Sequence, residues 1–225
     1  MAWLLSSLFS SFSLLAQPAA EDPAAEAATF HVVVIGSSTA AGHGPAHPRD
    51  AWVNRYRQYL RQAIPGSRVT NLAMGGYQTY QLLPNGFRTP PRRPQPDRNR
   101  NISMAVSLRP DLIILNAPSN DVAAGYGFAE QQRNFEAIVA TAQAAGIPIW
   151  ITTTQPRMLS PEMVKVQEDL RDWILAQFGA AAIDFWRGLA DCAGWLKSAY
   201  DSGDGTHLNA AGHALLYERV VAREF

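Results

Sequence analysis

The sequence predicts an α/β protein with a doubly wound, mostly parallel sheet. Short apolar, β-branched runs alternate with longer stretches of helical periodicity, the pattern of βαβ units. The residues able to do chemistry also cluster just beyond the strand-like runs: Ser38 after the first, Gly76 after the second and Asn120 after the third. Ligands of open parallel sheets bind beyond the carboxyl ends of the strands.

Taken in order, residues 30–35 are apolar on both faces, as in a strand covered on both sides. Asp50 is the expected cap of a helix over 50–64, whose Trp52, Tyr56, Tyr59, Leu60 and Ala63 share one face. Pro65-Gly66 ends it. Residues 68–73 read as a second strand and 111–115, introduced by Pro110, as a third. A helix over 128–145 stops at Gly146, with Pro148 beyond. Residues 149–153 make a fourth strand. Ser160-Pro161 opens the next helix as cap and first residue, and Gly179 closes it. Residues 182–185 suggest a short fifth strand, and Asn209 caps a last helix reaching about residue 223. The stretch 82–101 carries five prolines and five arginines, so it cannot be a regular helix; long loops in compact domains are usually functional or disordered.

At 225 residues the chain suits one domain with a full core. Its formal net charge of zero supplies no general attraction to nucleic acid or to an anionic membrane. The single cysteine, Cys192, excludes an intrachain disulfide and is expected as a small buried hydrophobe. Residues 2–16 are an apolar run too short to cross a bilayer comfortably, followed by a small, Pro-rich, acidic stretch. That order suits a secretory signal peptide cut near residues 16–20, although no Lys or Arg precedes the apolar run. The expected organisation is a signal peptide and linker over 1–28 and one folded domain over 29–225. The expected location is secreted or periplasmic, with no integral membrane segment in the mature chain.

Ser38 stands on a turn between Gly36 and Gly42, and Asp204 and His207 stand three residues apart before the last helix. A serine becomes a nucleophile when a base takes its proton, and a carboxylate fixes the tautomer of an imidazole base. His213 lies inside the last helix and reads as structural. A metal set of Asp204, His207 and His213 lacks a matching ligand cluster elsewhere. Backbone N–H groups at Ser38 and Gly76 and the Asn120 amide are the donors an acyl-transfer oxyanion needs. No phosphate-cradling glycine motif of the nucleotide-binding kinds is present.

Ser, Gly, Asn and His arriving in this order on successive strand ends resembles the SGNH hydrolases, the GDSL esterases and lipases, over about residues 30–223. Ser38 matches that family's nucleophile, Gly76 and Asn120 its oxyanion donors with Ser38, and Asp204 with His207 its D-x-x-H block, down to the following Asn-Ala-Ala-Gly-His. Two positions depart: Gly36-Ser37-Ser38 lacks the family's acidic residue, and Pro118 replaces the glycine before Asn120-Asp121. The resemblance implies a flavodoxin-like, three-layer α/β/α sandwich, no cofactor and no metal, and a serine esterase working through an acyl-enzyme. The partner is then a small-molecule or carbohydrate ester, not nucleic acid. Short acyl chains, acetyl to butyryl, are expected because no long apolar lid is evident. The alternative is a carbohydrate acetylesterase; a lysophospholipase, a thioesterase or a non-catalytic binding module stands behind it. Arg92 and Arg93, in the Arg/Pro stretch, are the candidate substrate contacts, because guanidinium groups recognise anionic or sugar oxygens.

Overall fold

The computed structural model describes residues 29–223. The signal peptide and linker expected over 1–28 lie outside the described residues. The described chain forms strands β1 (His31–Gly36), β2 (Arg68–Asn71), β3 (Leu112–Asn116), β4 (Ile149–Thr152) and β5 (Ala182–Ile183). Its helices are α1 (Ser38–Ala41), α2 (Trp52–Ala63), α3 (Thr79–Leu82), α4 (Ile102–Ser107), α5 (Asn120–Ala123), α6 (Phe128–Ala144), α7 (Pro161–Phe178) and α8 (Ala210–Val221). The strands pair in the order β2-β1-β3-β4-β5, all parallel. The chain steps outward from β1 to β2, then back across β1 to β3. The β1/β3 boundary is therefore the topological switch point, beside which ligands of open α/β sheets bind, at the carboxyl ends of the strands.

The central strands are buried throughout, as their unbroken apolar runs require. Alternate residues serve opposite layers. Val33, Ile35, Ile113 and Leu115 join Phe135 and Ile138 of α6 and Leu170 and Ile174 of α7. Val32, Val34, Leu112 and Ile114 join Trp52, Tyr56 and Leu60 of α2 and Leu216 and Val220 of α8. The result is the expected three-layer α/β/α sandwich. Each such aliphatic residue contributes about 1.5–3 kcal/mol by leaving water, so the sheet registers that fix this alternation are strongly specified.

Local capping signals act where the sequence places them. The Ser160 side chain accepts from Met163 N–H at 3.4 Å, and Asn209 accepts from the N–H groups of Ala211 and Gly212, both at 3.0 Å. Asp50 does not cap α2. It lies in a 3₁₀ turn, and its carboxylate accepts from the Arg55 guanidinium at 3.0 Å. The first N–H of α2, on Trp52, is instead bound by the Nδ1 of His213, in α8, at 3.2 Å. Ala63 is exposed, and Val53 takes its expected place in the core. Cys192 is also exposed, contrary to expectation. It sits in the turn joining Ala190 and Leu196, where only a β-bridge pairs the chain.

The Arg/Pro stretch is a loop, as its prolines demand, and it is latched to the domain. Asp97 accepts from the Tyr77 hydroxyl. Arg100 donates to Leu72 O at 3.2 Å, and Asn101 caps α4 through Met104 N–H at 3.0 Å. Among the described residues no helix is long and apolar enough to cross a membrane.

His213 is fully buried and bridges two elements. Its Nδ1 accepts from Trp52 N–H, and its Nε2–H donates to His43 O at 3.0 Å. Burial pulls its pKa down to about 4, against the opposing effect of the His43 bond. The His213→Leu variant should lose about 2–4 kcal/mol at pH 7, because Trp52 N–H and His43 O lose their partner. Below about pH 6.5 the unfolded chain takes up a proton that the buried ring refuses, so this group's contribution falls as pH falls toward 4. Urea melts should show the wild-type advantage over His213→Leu shrinking from pH 7 to pH 4.5; an advantage that grows would contradict the assignment.

Candidate active site

The site is assembled from five segments at the carboxyl ends of the strands. The first leaves β1 through Gly36, whose φ is +156° and where a Cβ would stand 2.7 Å from Asn116 O on β3. Only glycine lets the two strand ends approach so closely. Ser37 is extended, and Ser38 is the first residue of the single-turn α1, closed by Gly42 in a left-handed conformation. Ser38 is 8% exposed, and among the described residues its side chain has no hydrogen-bond partner.

The second segment follows β2. Asn71 donates to Ala40 O at 2.7 Å and accepts from Ala73 N–H at 3.1 Å, binding this turn to α1. Met74 N–H then reaches Gly36 O at 3.2 Å, and Gly76 turns the chain at φ +82°. From α3 onward the segment is clipped to Asp121. That carboxylate is fully buried and accepts from both the backbone N–H and the hydroxyl of Thr79. Burial raises its pKa to about 7, against the pull of those bonds.

The third segment follows β3 and carries Asn120. Its Nδ2 donates to Ser37 Oγ at 2.8 Å and to Tyr77 O at 2.9 Å. Pro118 therefore leaves the amide beside the Ser37-Ser38 turn and the glycine turn. The fourth follows β4: Arg157 donates from Nη1 to Asn120 Oδ1 at 3.0 Å, and Met158 N–H donates to Gly205 O at 2.8 Å.

The fifth is the loop before α8. Asp204 Oδ1 accepts from the N–H groups of Thr206 and His207, each at 2.8 Å, and Oδ2 meets His207 Nδ1 at 2.6 Å. Partial burial acts to raise the Asp204 pKa, but the bonds from His207 and Thr206 outweigh it and hold it at about 2. The carboxylate is thus ionised across the physiological range and fixes Nδ1 as the protonated nitrogen of a neutral imidazole. Nε2 is left as the acceptor and has no protein partner among the described residues.

Two contacts close the ring of segments. The His43 and His207 rings lie 5.7 Å apart, and a Cβ on Gly75 would come within 2.6 Å of the His43 ring. At Gly44, φ is +111° and a Cβ would stand 2.0 Å from Leu208 O and 3.2 Å from His207 Cβ. The structure so brings the Ser38, Gly76, Asn120 and Asp204-His207 segments together. Among the described residues neither Arg92 nor Arg93 bonds to Ser38, Gly76, Asn120, Asp204 or His207. Arg92 is exposed at φ +67°, while Arg93 pairs with Glu130 at 2.6 Å and lies over the Tyr126 ring. Sequence reasoning passed over His43, Ser37 as a partner of Asn120, and Arg157; Ser37 and Arg157 both follow strand ends, which was the one signal available for them. Among the described residues no group of three His, Cys, Asp or Glu is placed to hold a metal ion.

Gly44 and Gly86 separate close approach from backbone strain. Gly86 also has a left-handed φ, +82°, but a Cβ there meets nothing within 4 Å. Gly86→Ala should cost about 1 kcal/mol, the price of the conformation alone. Gly44→Ala should cost more than about 3 kcal/mol, since backbone must move. Equal costs in denaturant melts would mean that the loop carrying His43 is not pressed against the His207 loop.

A family model described as GDSL-like Lipase/Acylhydrolase family matches residues 34–215. A comparison with curated proteins gives no match. Among solved structures, the psychrotrophic esterase EstA from Pseudoalteromonas sp. is 17% identical with a TM-score of 0.64, covering 86% of this chain and 95% of that one. A GDSL-like lipase from Bacteroides thetaiotaomicron is 18% identical with a TM-score of 0.61, covering 85% and 86%. A mutant acetyl-xylooligosaccharide esterase from Geobacillus Stearmophilus is 15% identical with a TM-score of 0.63, covering 86% and 93%. At these identities the likeness is one of fold.

Proposed function

The chain belongs to the GDSL-like lipase/acylhydrolase family, and on that premise we propose that it is a serine esterase acting on carboxylic esters of short acyl chains. The observation that supports this most is the Asp204-His207 pair. Nδ1 is committed to a carboxylate at 2.6 Å, which leaves Nε2 to act as a base. In this reading Ser38 Oγ attacks the ester carbonyl while His207 Nε2 takes its proton. The N–H groups of Ser38 and Gly76 and the Asn120 amide receive the oxyanion. The intermediate collapses, His207 protonates the departing alcohol, and water repeats the sequence on the acyl-enzyme. The reading includes export, with the signal peptide cut near residues 16–20 and the rest of 1–28 left as a linker, which sequencing the N-terminus of the mature protein checks.

One observation favours the alternative, a carbohydrate acetylesterase. Met74, Met158 and Trp195 are the large apolar side chains most exposed among the described residues, at 39%, 56% and 38%. Met74 adjoins the glycine turn, Met158 lies against Gly205, and the Trp195 indole donates to Leu159 O at 2.9 Å. An exposed indole face next to the segment that carries Met158 suits a sugar ring. Arg92 stands free for an anionic or sugar oxygen, whereas Arg93 reaches one only if its pair with Glu130 opens. A panel of p-nitrophenyl esters and acetylated oligosaccharides, with the Trp195→Ala variant, separates the two. A rise in KM confined to the sugar esters supports the alternative, and an equal loss on both classes contradicts it.

Ser38→Ala should lower kcat by about 10⁴-fold or more, with little further loss on adding His207→Ala. Asn120→Ala should cost about 10²- to 10³-fold in kcat with KM little changed. Wild-type turnover in Ser38→Ala would refute the nucleophile. The pH profile offers a separate check. Because Asp204 is held at a pKa of about 2, its own protonation should not limit kcat/KM above about pH 4. An acid limb in that range that Asp204→Asn abolishes would mean that the carboxylate itself titrates there.

A further inference from the structure

Arg157 has no place in the mechanism above, yet its guanidinium reaches into the site. It follows β4, is partly buried, and donates from Nη1 to Asn120 Oδ1 at 3.0 Å. Among the described residues no carboxylate lies within ion-pair distance of it. Other partly buried arginines serve parts of the fold away from Asn120. Arg93 and Arg171 are held by Glu130 and Asp184, Arg219 by the carbonyls of Asp184 and Arg187, and Arg57 by Val69 O and the Asn54 amide oxygen.

We propose that Arg157 is a positioning residue that fixes the Asn120 amide for oxyanion binding and strengthens its N–H as a donor. This rests on the reading of Asn120 as an oxyanion donor. The two ends of the amide differ in what they can bind. A guanidinium only donates and a backbone carbonyl only accepts. Arg157 on Oδ1 and Tyr77 O on Nδ2 therefore specify one orientation, because the flipped amide would set N–H against N–H and oxygen against oxygen. Each contact excludes the flip, and Arg157 is the hydrogen-bond donor to Oδ1.

The two Nδ2 hydrogens are then unequal. One is held by Tyr77 O, a fixed backbone acceptor. The other meets Ser37 Oγ at 2.8 Å, a hydroxyl that rotates and can act as donor or acceptor. That second hydrogen is the one surrendered to an arriving oxyanion, and Ser37 marks its place until then.

The charge matters as well as the orientation. A hydrogen bond from an ionised donor is roughly twice as strong as a neutral one. It draws electron density toward Oδ1 and leaves the Nδ2 hydrogens more positive, an effect enlarged where water is partly excluded. Burial lowers the Arg157 pKa and nearby Asp204 raises it, so the cation is both desolvated and within the field of the catalytic pair.

The test is a double-mutant cycle on the full chain, assayed with p-nitrophenyl acetate and with a carboxylate-bearing ester of similar size. Arg157→Ala should lower kcat by about 10-fold or more on both, with KM little changed. In the Asn120→Ala background the same change should cost no more than about 2-fold. Arg157→Lys, which keeps a charge and a donor, should lose less than Arg157→Ala. If Arg157→Ala fails to give a cooperative thermal melt, Arg157→Lys takes its place in the cycle. Independent losses in the two backgrounds overturn the proposal, as does an unchanged kcat. So does a loss confined to KM for the carboxylate-bearing ester, which would make Arg157 a substrate contact. A fall in kcat for Arg157→Ala beside a neutral Asn120→Ala overturns it too. Ser38→Ala, run in parallel, tests the underlying reading by itself: activity retained there removes the esterase mechanism, whatever the cycle shows.

Discussion

Much of the site rests on the close approach of β1 and β3 at their carboxyl ends. Gly36 pairs with Asn116 in the parallel register, and a Cβ at 36 would press to 2.7 Å from Asn116 O. Because these strands meet at the switch point, the chain leaving β1 and the chain leaving β3 emerge side by side. Ser37-Ser38 follow directly on the one and Asn120 lies four residues along the other, and its amide spans the gap to Ser37 Oγ. A side chain at 36 would separate the strand ends, and with them the serine turn and the amide.

The remaining segments are held to that pair by interactions of long sequence separation. Asp121 pins the start of α3 through Thr79, while Asn71 ties the β2 turn to α1. His213 grips His43 O from α8, and His43 in turn packs between Gly75 and His207. The buried polar groups His213 and Asp121 are each costly to bury alone and are each met by fitting partners. This is the rigid outer support that catalytic side chains need if their geometry is to hold.

What the sequence revealed follows from how local each signal is. The helix over 128–145 is observed as Phe128–Ala144, and the Ser160 and Asn209 caps act as their positions foretold, since a cap needs only its own first turn. The Asp204-His207 pairing was equally legible, because three residues of loop suffice to make it. Asp50 misled for the opposite reason. Its carboxylate went to Arg55, and the Trp52 N–H found a partner 161 residues away. Cys192 was read from the habits of its residue type, but a tight surface turn leaves it exposed. Arg157 escaped notice because Thr-Gln-Pro-Arg spells no motif; its meaning lies in Asn120, the residue beyond the neighbouring strand β3 that it touches.

The central claim is that Ser38 carries the acyl group between the two halves of the reaction. Acid-quenching the enzyme during the first turnover of p-nitrophenyl acetate, followed by peptide mass mapping, tests it directly. The account predicts one acetyl group on the peptide containing Ser38, formed in step with the p-nitrophenol burst and absent from Ser38→Ala. A burst with the acetyl group on another residue, or steady turnover without any covalent adduct under conditions where deacylation is slow, would contradict it.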